Sequence, residues 1–365
     1  MKLLCMYLPQ YHEIEENNQW WGKGYTEWTA VKNAKPLYGG HIQPKVPLNN
    51  EYYDLSNSDA NTWKWQAELA NKYGVHGFCV YHYWFTGKKL LHKPLEILLD
   101  HPEIPIKYTM CWANETWTKT WYGKEKEILI EQEYGTDHDW IEHFKYMLKF
   151  FQDERYIKIK NKPMLNIYRS SDIKDLDKML ECWNTLAKQS GYDGIYIVAS
   201  NNNGPLETRF NLVDAFYNFE PGYTLKHGLT NLQNYKLKVN VLLQKIYNSI
   251  FEKKKIEYVI DAKEITNMMY TKKKSASNSV FPGVFTNWDN TPRRSYKGLI
   301  YKNTSPDLFY QSLRTIKNTQ LNEDHDYVYV NAWNEWGEGC YLEPDSYHQY
   351  QYLDAIKRAL SRKKY

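Results

Sequence analysis

The sequence predicts a single (β/α)8 barrel (TIM barrel), one domain over residues 1–365, and three observations support this prediction. Short apolar runs alternate with amphipathic segments along the chain, as in folds with a buried parallel sheet. Polar and aromatic residues follow the apolar runs, and strand ends are where barrels of this kind place their sites. No G-x-G-x-x-G or Walker A string follows an apolar run, which disfavours the alternative, a doubly wound nucleotide-binding sheet.

Eight strands are predicted because their apolar runs are nearly continuous, as expected when both faces of a strand are buried. They are Lys2–Tyr7, Gly77–Tyr83, Lys107–Trp112, Pro163–Tyr168, Gly194–Ala199, Ala215–Phe219, Gly283–Asn287 and Tyr327–Ala332. Amphipathic helices fit between them, several after Asn, Ser or Asp start signals. They are Asp59–Tyr73, Lys93–Asp100, His138–Gln152, Leu176–Ser190 and Ser305–Asn318.

Two long connections follow the first and sixth strands, which makes them the β1α1 and β6α6 loops of the predicted barrel. They cover residues 8–58 and 220–280, and both belong at the carboxyl ends of the strands, where long loops build substrate sites. The second is a loop and helical insertion, with a helix near Val239–Phe251 and two triple-lysine runs, Lys253–Lys255 and Lys272–Lys274. Solvated loop charge is the simplest interpretation of the lysines, and a polyanionic glycan or a membrane surface is the alternative.

Composition excludes several classes of protein. Apolar residues make up 42% and charged residues 25% of the chain, which excludes a disordered protein, and no apolar run reaches the roughly 20 residues of a membrane span. A net charge of +4 is too small to indicate nucleic acid. The five cysteines form no C-x-x-C pair and the amino terminus lacks a cleavable signal, so we expect a reduced, cytoplasmic protein. No H-E-x-x-H or G-x-S-x-G string occurs, and we predict neither a metal nor a cofactor.

Aromatic residues are unusually frequent, at 16% of the chain with 33 Tyr and 14 Trp. Because these rings combine an apolar face with a polar edge, they suit sugar binding. The strand ends and the first long loop combine such rings with amides and charges, and together they predict a glycan site. The predicted substrate-binding residues are Tyr7, Gln10, Trp20, Trp21, His82, Tyr83, Trp112, Asn114, Glu115, Tyr168, Trp288, Asp289, Arg293, Trp333 and Asn334.

Structural alternatives stay open for three of these residues. Glu115 either binds substrate or only pairs with Arg169 or Arg293. Asp289 is a hydroxyl acceptor or a turn residue, and His82 is a sugar donor or a buried core histidine.

The motif that most strongly indicates catalysis follows the eighth strand. It is Asn-Glu-Trp-Gly-Glu-Gly, residues 334–339. In a helical turn Glu335 and Glu338 would share one face, and the glycines permit such a turn. Glycosidic chemistry uses two carboxyl groups, one kept protonated by a dry site and one ionised. Glu335 and Glu338 are therefore the predicted catalytic pair. Glu343 is a third candidate, with a structural or substrate-binding role.

Several blocks of rare residues resemble the WbsX-type glycosyltransferase family, which is related to glycoside hydrolase family 99, the endo-α-mannosidases. The blocks are Tyr7–His12, Asn18–Trp28, Gly77–Trp84, Cys111–Glu115, Trp288–Arg294 and Asn331–Gly339. The resemblance implies a (β/α)8 barrel and a role in bacterial surface polysaccharide, O-antigen or capsule. It also implies that Glu335 deprotonates the sugar 2-hydroxyl, that a 1,2-anhydro sugar forms, and that Glu338 protonates the leaving oxygen.

The leading prediction is a retaining carbohydrate-active enzyme that acts on an oligo- or polysaccharide. Transfer from an activated sugar donor is slightly favoured over endo-acting hydrolysis of the α-mannosidase type. A non-catalytic glycan-binding barrel is the third alternative. Contact with a membrane or a lipid-linked glycan is compatible with the lysine runs, whereas nucleic acid is not expected.

Overall fold

The structure is a computed structural model that describes residues 1–119, 127–252, 254–271, 279–321 and 326–361. Parallel strands form its central barrel, and most of these strands are buried along nearly their whole length. The barrel strands are β1 (Lys2–Tyr7), β2 (Gly77–Phe85), β4 (Lys107–Trp112), β8 (Lys162–Ile167), β9 (Tyr196–Asn201), β10 (Ala215–Asn218), β12 (Ser279–Phe281), β13 (Gly283–Phe285) and β15 (Tyr327–Asn331). The other strands are short and peripheral: β3 (Lys88–Leu90), β5 (Trp117–Thr118), β6 (Ile128–Ile130), β7 (Lys158–Ile159), β11 (Tyr258–Asp261), β14 (Leu299–Lys302), β16 (Asn334–Glu335) and β17 (Cys340–Tyr341).

The barrel strands form a nearly closed ring in the order β12-β10-β9-β8-β4-β2-β1-β15-β13, and every neighbouring pair is parallel. The seventh barrel strand is split, because Pro282 cannot donate a ladder hydrogen bond and separates β12 from β13. Its first half pairs with β10 and its second half with β15. The predicted (β/α)8 barrel is confirmed, with its seam at Pro282.

Helices surround the barrel, and most of the longer ones bury their apolar faces against the strands. They are α1 (Glu15–Trp21), α2 (Glu27–Asn33), α3 (Asn61–Tyr73), α4 (Lys93–Asp100), α5 (Asp137–Phe151), α6 (Leu176–Gln189), α7 (Asn231–Ile250), α8 (Ala262–Thr271), α9 (Thr291–Arg294), α10 (Pro306–Thr319) and α11 (Gln351–Ser361). The predicted helices match α3 to α6 and α10 within one or two residues at each end. The two long loops are also present, and they contain α1, α2, α7 and α8.

The insertion after β10 packs against residues of β13, β14 and β17, outside the main core. Helix α7 begins earlier than predicted, after a capping box at Thr230, which accepts a hydrogen bond from the Gln233 amide. Ile260, Ile265 and Tyr301 form part of a second apolar cluster, against which Leu237 of α7 packs. Of the predicted lysine runs, residues 253 and 272–274 lie outside the described residues.

All five cysteines are free thiols. Within the described ranges, no helix combines the length and the apolarity needed to cross a bilayer.

Candidate active site

A cavity of about 780 Å³ opens at the carboxyl ends of the barrel strands. Both catalytic candidates line it, together with about half of the predicted substrate-binding residues. The predicted residues that line it are Gln10, Trp21, Tyr83, Glu115, Tyr168, Trp288, Arg293, Glu335 and Glu338. Because these residues follow six different strands or their loops, the barrel closure brings them together.

The acid pair lies on a short antiparallel hairpin at the end of β15. Glu335 pairs with Cys340 across the hairpin, and a 3-10 turn, Trp336–Glu338, carries the chain to Glu338. Gly339 ends the turn at a φ of 63°, a left-handed conformation that glycine adopts without strain. The turn that the glycines were expected to permit is present, and both carboxyl groups face the cavity.

Arg293 lies between three carboxylates. Its Nη2 is 2.6 Å from Glu27 Oε1 and 3.6 Å from Glu335 Oε2, and its Nη1 donates to Glu338 Oε1 at 3.0 Å. The side chain of Glu27 is 0% exposed and that of Arg293 is 5% exposed. One buried guanidinium therefore lies within ion-pair distance of three carboxylates.

Burial and neighbouring charges change the acidity of Glu335 and Glu338. Burial, and then the charge of Glu338, raise the pKa of Glu335 well above its ordinary value, and Arg293 only partly opposes this. Burial also raises the pKa of Glu338, against the opposing effect of Arg293. Among the described residues, Glu335 Oε2 is buried without a hydrogen-bond partner, whereas Glu338 accepts a hydrogen bond from Arg293. The free site therefore favours protonation of Glu335 over protonation of Glu338.

The ion pair between Glu27 and Arg293 explains why residue 337, directly before Glu338, is glycine. A Cβ on Gly337 would lie 1.7 Å from Glu27 Oε1 and 2.7 Å from Arg293 Nε. No side chain fits there without displacing the buried pair.

We expect Gly337→Ala to disturb this pair, because the added methyl group has no free space. Overpacking of this kind typically costs about 1–3 kcal/mol of unfolding free energy, and we expect activity to fall at least about tenfold. Urea unfolding and turnover measure the two effects. Gly39→Ala is the matched control, since a Cβ at Gly39 meets nothing within 4 Å. Wild-type stability and turnover in Gly337→Ala would contradict the packing described here.

Other predicted binding residues point away from the cavity, into the layer between barrel and helices. The Tyr7 hydroxyl donates to Gln66 on α3, and His82 Nε2 lies 2.9 Å from His143 Nε2 on α5. Trp112 is 2% exposed, and its Nε1 donates to the carbonyl of Trp84. Burial lowers the pKa of His82 to about 3, so this imidazole is neutral at physiological pH. The structure places Tyr7, His82 and Trp112 in the core and not on the cavity wall, which differs from the sequence prediction.

The physical reason is the alternation of side chains along a strand. Successive residues face opposite sides, so when His82 faces α5, its neighbours Tyr81 and Tyr83 face the barrel interior and the cavity. Both faces of a barrel strand are apolar and buried, so the sequence pattern carries no sign of which residues point inward. Tyr81 was missed for this reason.

Four further predicted residues hold the loops around the cavity together. Asn334 accepts from the amide of Leu8 and donates to its carbonyl, which ties the eighth strand end to the first. Asn114 does the same with the amide and carbonyl of Arg169. Trp333 is fully buried against Phe78, and Trp20 packs edge-on against Trp117. These residues position the site and do not line it.

Asp289 is also a structural residue. Its carboxylate accepts from Gln43 Nε2 at 2.8 Å and from the Thr291 hydroxyl at 2.6 Å, and it lies 2.8 Å from His41 Nε2. Burial alone would raise the pKa of Asp289, but the hydrogen bonds from His41 and Thr291 hold it below its ordinary value. Its amide donates to the carbonyl of Glu338, so Asp289 supports the acid-bearing turn.

Two further acids, Glu115 and Glu343, have defined partners. Glu115 faces the cavity and pairs with Arg169 at 2.6 Å. Pairing with Arg169 was one of the structural alternatives to substrate binding that the sequence left open. Glu343 lies behind Trp336, accepting from its Nε1, from Gln66 and from Tyr53. Burial raises the pKa of Glu343 to about 7 despite these bonds. Glu343 thus orients Trp336 from outside the main cavity.

Sequence reasoning missed several cavity-lining residues. They include Asn17, Tyr25, Tyr81, Lys226 and Lys297. It also gave no role to Glu27, whose position beside Trp28 at the start of a helix reads as an ordinary acidic first-turn residue. Glu27 contacts Arg293, which lies 266 residues further along the chain, and no local sequence pattern indicates this contact.

Among the residues described, no cluster of three or more His, Cys, Asp or Glu side chains could hold a metal ion.

Comparisons with known proteins identify relatives over nearly the whole chain. The model of the family described as Glycosyltransferase WbsX matches residues 3–356. An uncharacterized protein WxcX of Xanthomonas campestris pv. campestris (strain ATCC 33913) is 34% identical over 99% of this chain, a match that covers 50% of that protein. The chain therefore spans about half the length of the curated relatives it matches.

Solved structures share the fold at low sequence identity. A GH99 endo-alpha-mannosidase from Bacteroides thetaiotaomicron, in complex with bis-tris-propane, has a TM-score of 0.55 and 13% identity, covering 98% of this chain and 95% of that chain. A glycoside hydrolase-like protein has a TM-score of 0.60 and 12% identity, covering 99% of this chain and 94% of that chain. These likenesses confirm the barrel fold. Because the family model covers nearly the full length and the Xanthomonas relative is 34% identical, the chain belongs to the WbsX glycosyltransferase family, and so to a family of carbohydrate-active enzymes.

Proposed function

We propose that this protein forms or cleaves glycosidic bonds of a bacterial surface polysaccharide, with Glu335 and Glu338 acting at the anomeric carbon. The observation that carries the proposal is the buried acid pair beside Arg293, on the wall of a cavity large enough for an oligosaccharide. A glycan-binding barrel without catalysis is disfavoured, because a binder gains nothing from a buried Glu335 oxygen that has no hydrogen-bond partner.

The proposed reaction retains configuration through a 1,2-anhydro sugar. Glu335 takes the proton of the sugar 2-hydroxyl, and the freed oxygen attacks the anomeric carbon. The bond to the leaving group breaks, and its oxygen receives the proton of Glu338. Glu338 then deprotonates the incoming hydroxyl, which opens the anhydro ring, and the 2-oxygen recovers the proton from Glu335.

These roles require Glu335 ionised and Glu338 protonated when the reaction starts. The free site favours protonation of Glu335, so substrate binding has to reverse this preference. A 2-hydroxyl that donates to Glu335 and a glycosidic oxygen that accepts from Glu338 favour that reversal. Once ionised, Glu335 is a stronger base than an ordinary carboxylate because burial raises its pKa.

Positive charge on the cavity wall favours transfer over hydrolysis. Lys226, Arg294 and Lys297 line the cavity, and none of them forms an ion pair with a described residue. Arg169, in contrast, is paired with Glu115. Unpaired cations suit the phosphate groups of an activated sugar donor, whereas a neutral glycan needs no such charge. Hydrolysis by an endo-α-mannosidase type of reaction is the second candidate, supported by the acid pair that both activities share.

Product analysis tests the proposed activity. The protein is incubated with defined oligosaccharides, with and without nucleoside-diphosphate and polyprenyl-diphosphate sugars, in water enriched in oxygen-18. Extension of the acceptor only when a donor is present indicates transfer. Shorter products labelled with oxygen-18 indicate hydrolysis, and unchanged substrates under all conditions would contradict both.

The free thiols support a reducing compartment, and we propose a cytoplasmic location.

Trp21 is the proposed sugar platform, because it is half-buried on the cavity wall whereas Trp112 belongs to the core. We expect Trp21→Ala to weaken oligosaccharide binding by about 1–3 kcal/mol, or about 5- to 150-fold in Kd, through loss of ring contact. Calorimetry measures the change. Trp65→Ala, which alters a ring of similar exposure outside this cavity, is the control and should bind normally. Equal binding by both variants would remove Trp21 from the site.

A further inference from the structure

The segment from Pro221 to Phe251 has an unusual charge pattern. Its 31 residues contain no Asp or Glu, and they contain four lysines, Lys226, Lys236, Lys238 and Lys245. Most of the segment is helix α7, which has a single buried residue, Val241. A helix of this length on a protein surface is therefore in contact with its own domain along only a narrow strip.

The face of α7 that points away from the protein is apolar. Leu237 and Val241 lie on the inner side, where Leu237 packs on the second apolar cluster. At 100° per residue, six large apolar residues fall within an arc of about 100° on the opposite side. We call this set the outer face: Leu232 (63% exposed), Tyr235 (67%), Leu242 (56%), Leu243 (56%), Ile246 (46%) and Ile250 (68%).

Lysines border the outer face on both sides. Lys236 lies along one edge, and Lys238 and Lys245 lie along the other, all three exposed. Single exposed apolar residues are common on protein surfaces, but a continuous stripe of six is typical of a surface that binds a partner. An apolar face edged by lysines is the pattern of helices that lie in the plane of an anionic membrane.

We propose that the outer face docks on an anionic lipid membrane, with the apolar side chains at the level of the acyl-chain boundary and the lysines among the headgroup phosphates. Charge selects this partner over a second copy of the chain. Two outer faces in contact would bring two acid-free, lysine-bearing segments together, and like charges repel. A phosphate-rich surface instead neutralises them.

The docked helix would hold the cavity next to the membrane. Leu225 and Lys226, just before α7, and Tyr258, just after it, all line the cavity. A membrane held by the outer face would then lie beside the opening through which a lipid-linked glycan has to enter. The binding itself is independent of the catalytic proposal, because no outer-face residue lines the cavity.

Vesicle co-sedimentation of the whole protein tests the docking. The probes are extruded vesicles of phosphatidylglycerol with phosphatidylethanolamine, and vesicles of phosphatidylcholine alone, each at low and high salt. We expect binding to the anionic vesicles that weakens with salt, and little binding to the neutral ones.

Two variants separate the apolar from the electrostatic contribution. Leu242→Ser/Leu243→Ser/Ile246→Ser removes apolar side chains at constant charge, and we expect it to lower partitioning at least about tenfold. Lys236→Glu/Lys238→Glu should lower partitioning to anionic vesicles by a similar factor of about ten or more. Its matched control is Lys160→Glu/Lys188→Glu, the same change in net charge at the other end of the barrel, which should bind as the wild type does.

Thermal melting checks that each variant is folded, which is expected because the substituted side chains are exposed. Absence of wild-type binding to anionic vesicles would overturn the proposal. Equal loss in the Lys160→Glu/Lys188→Glu control would also overturn it, because net charge alone would then explain binding. A concentration-dependent dimer that the triple serine variant abolishes, without vesicle binding, would assign the face to a second copy.

Discussion

Glu338→Gln is expected to lose about 10²–10⁴-fold in kcat on a substrate with a poor leaving group, because the amide cannot supply the proton that the departing oxygen needs. On an aryl or fluoride glycoside, whose leaving group departs unprotonated, the loss should be far smaller. Glutamine keeps the size of the side chain and can still face Arg293, so the comparison isolates proton transfer.

Glu335→Gln is expected to be slow on both kinds of substrate, by a similar 10²–10⁴-fold, because the 2-hydroxyl needs a base whatever group leaves. Rates on the activated and natural substrates therefore distinguish the two acids. If Glu335→Gln, and not Glu338→Gln, keeps its rate on activated substrates, Glu335 is the acid and Glu338 the base. Normal turnover of a 2-deoxy substrate would exclude the anhydro-sugar route.

Glu181→Gln is the control for the chemical change, since Glu181 is exposed on α6.

The effect of Glu335 on stability can be followed by the pH dependence of the melting temperature. Burial raises the folded-state pKa of Glu335 above its ordinary value of 4.5, so this group stabilises the fold below pH 4.5 and loses that contribution as pH rises through the folded pKa. Glu335→Gln should accordingly melt above the wild type at neutral pH, with the difference disappearing towards pH 4.5. If both Gln variants keep full activity, the catalytic site lies elsewhere.

Arg293→Met is expected to reduce kcat about 10²–10³-fold, as removal of a single preorganised electrostatic group at a reacting centre does elsewhere. It should also destabilise the fold by about 3–5 kcal/mol, because Glu27 would remain buried without its partner. Arg293 lowers the pKa of both Glu335 and Glu338, so its loss raises them further. The base must be ionised to react, and the acidic limb of the pH–rate profile should therefore move to higher pH.

A second substitution separates stability from chemistry. Glu27→Gln in the Arg293→Met background removes the unpaired buried charge, so unfolding free energy should recover in large part. The pH–rate profile should return only part of the way, because removal of the Glu27 charge lowers the pKa of Glu335 and Glu338 but the larger effect, the loss of the guanidinium, remains. Urea unfolding and pH–rate measurements on the two variants check this. A profile that returns fully to that of the wild type in the double variant would show that Arg293 only balances the charge of Glu27.

The sequence alone determined the barrel, its long loops and the acid pair. Continuous apolar runs, their spacing and the helices between them are local properties, and each barrel strand appears within a few residues of its predicted position. The string around Glu335 and Glu338 is also local, and its glycines permit the turn that the structure shows. Information within a short window was sufficient for these features.

Which side chains reach the cavity could not be predicted from local sequence. His82 faces α5, whereas the adjacent Tyr83 faces the cavity. A strand that is buried on both faces carries no sequence pattern that marks its inner side. Glu27, Asp289 and Arg293 took their roles from contacts across hundreds of residues. The electrostatics of the acid pair depend on those same contacts. Local sequence sets the propensity of each segment, but the identity of a buried neighbour depends on how the barrel closes.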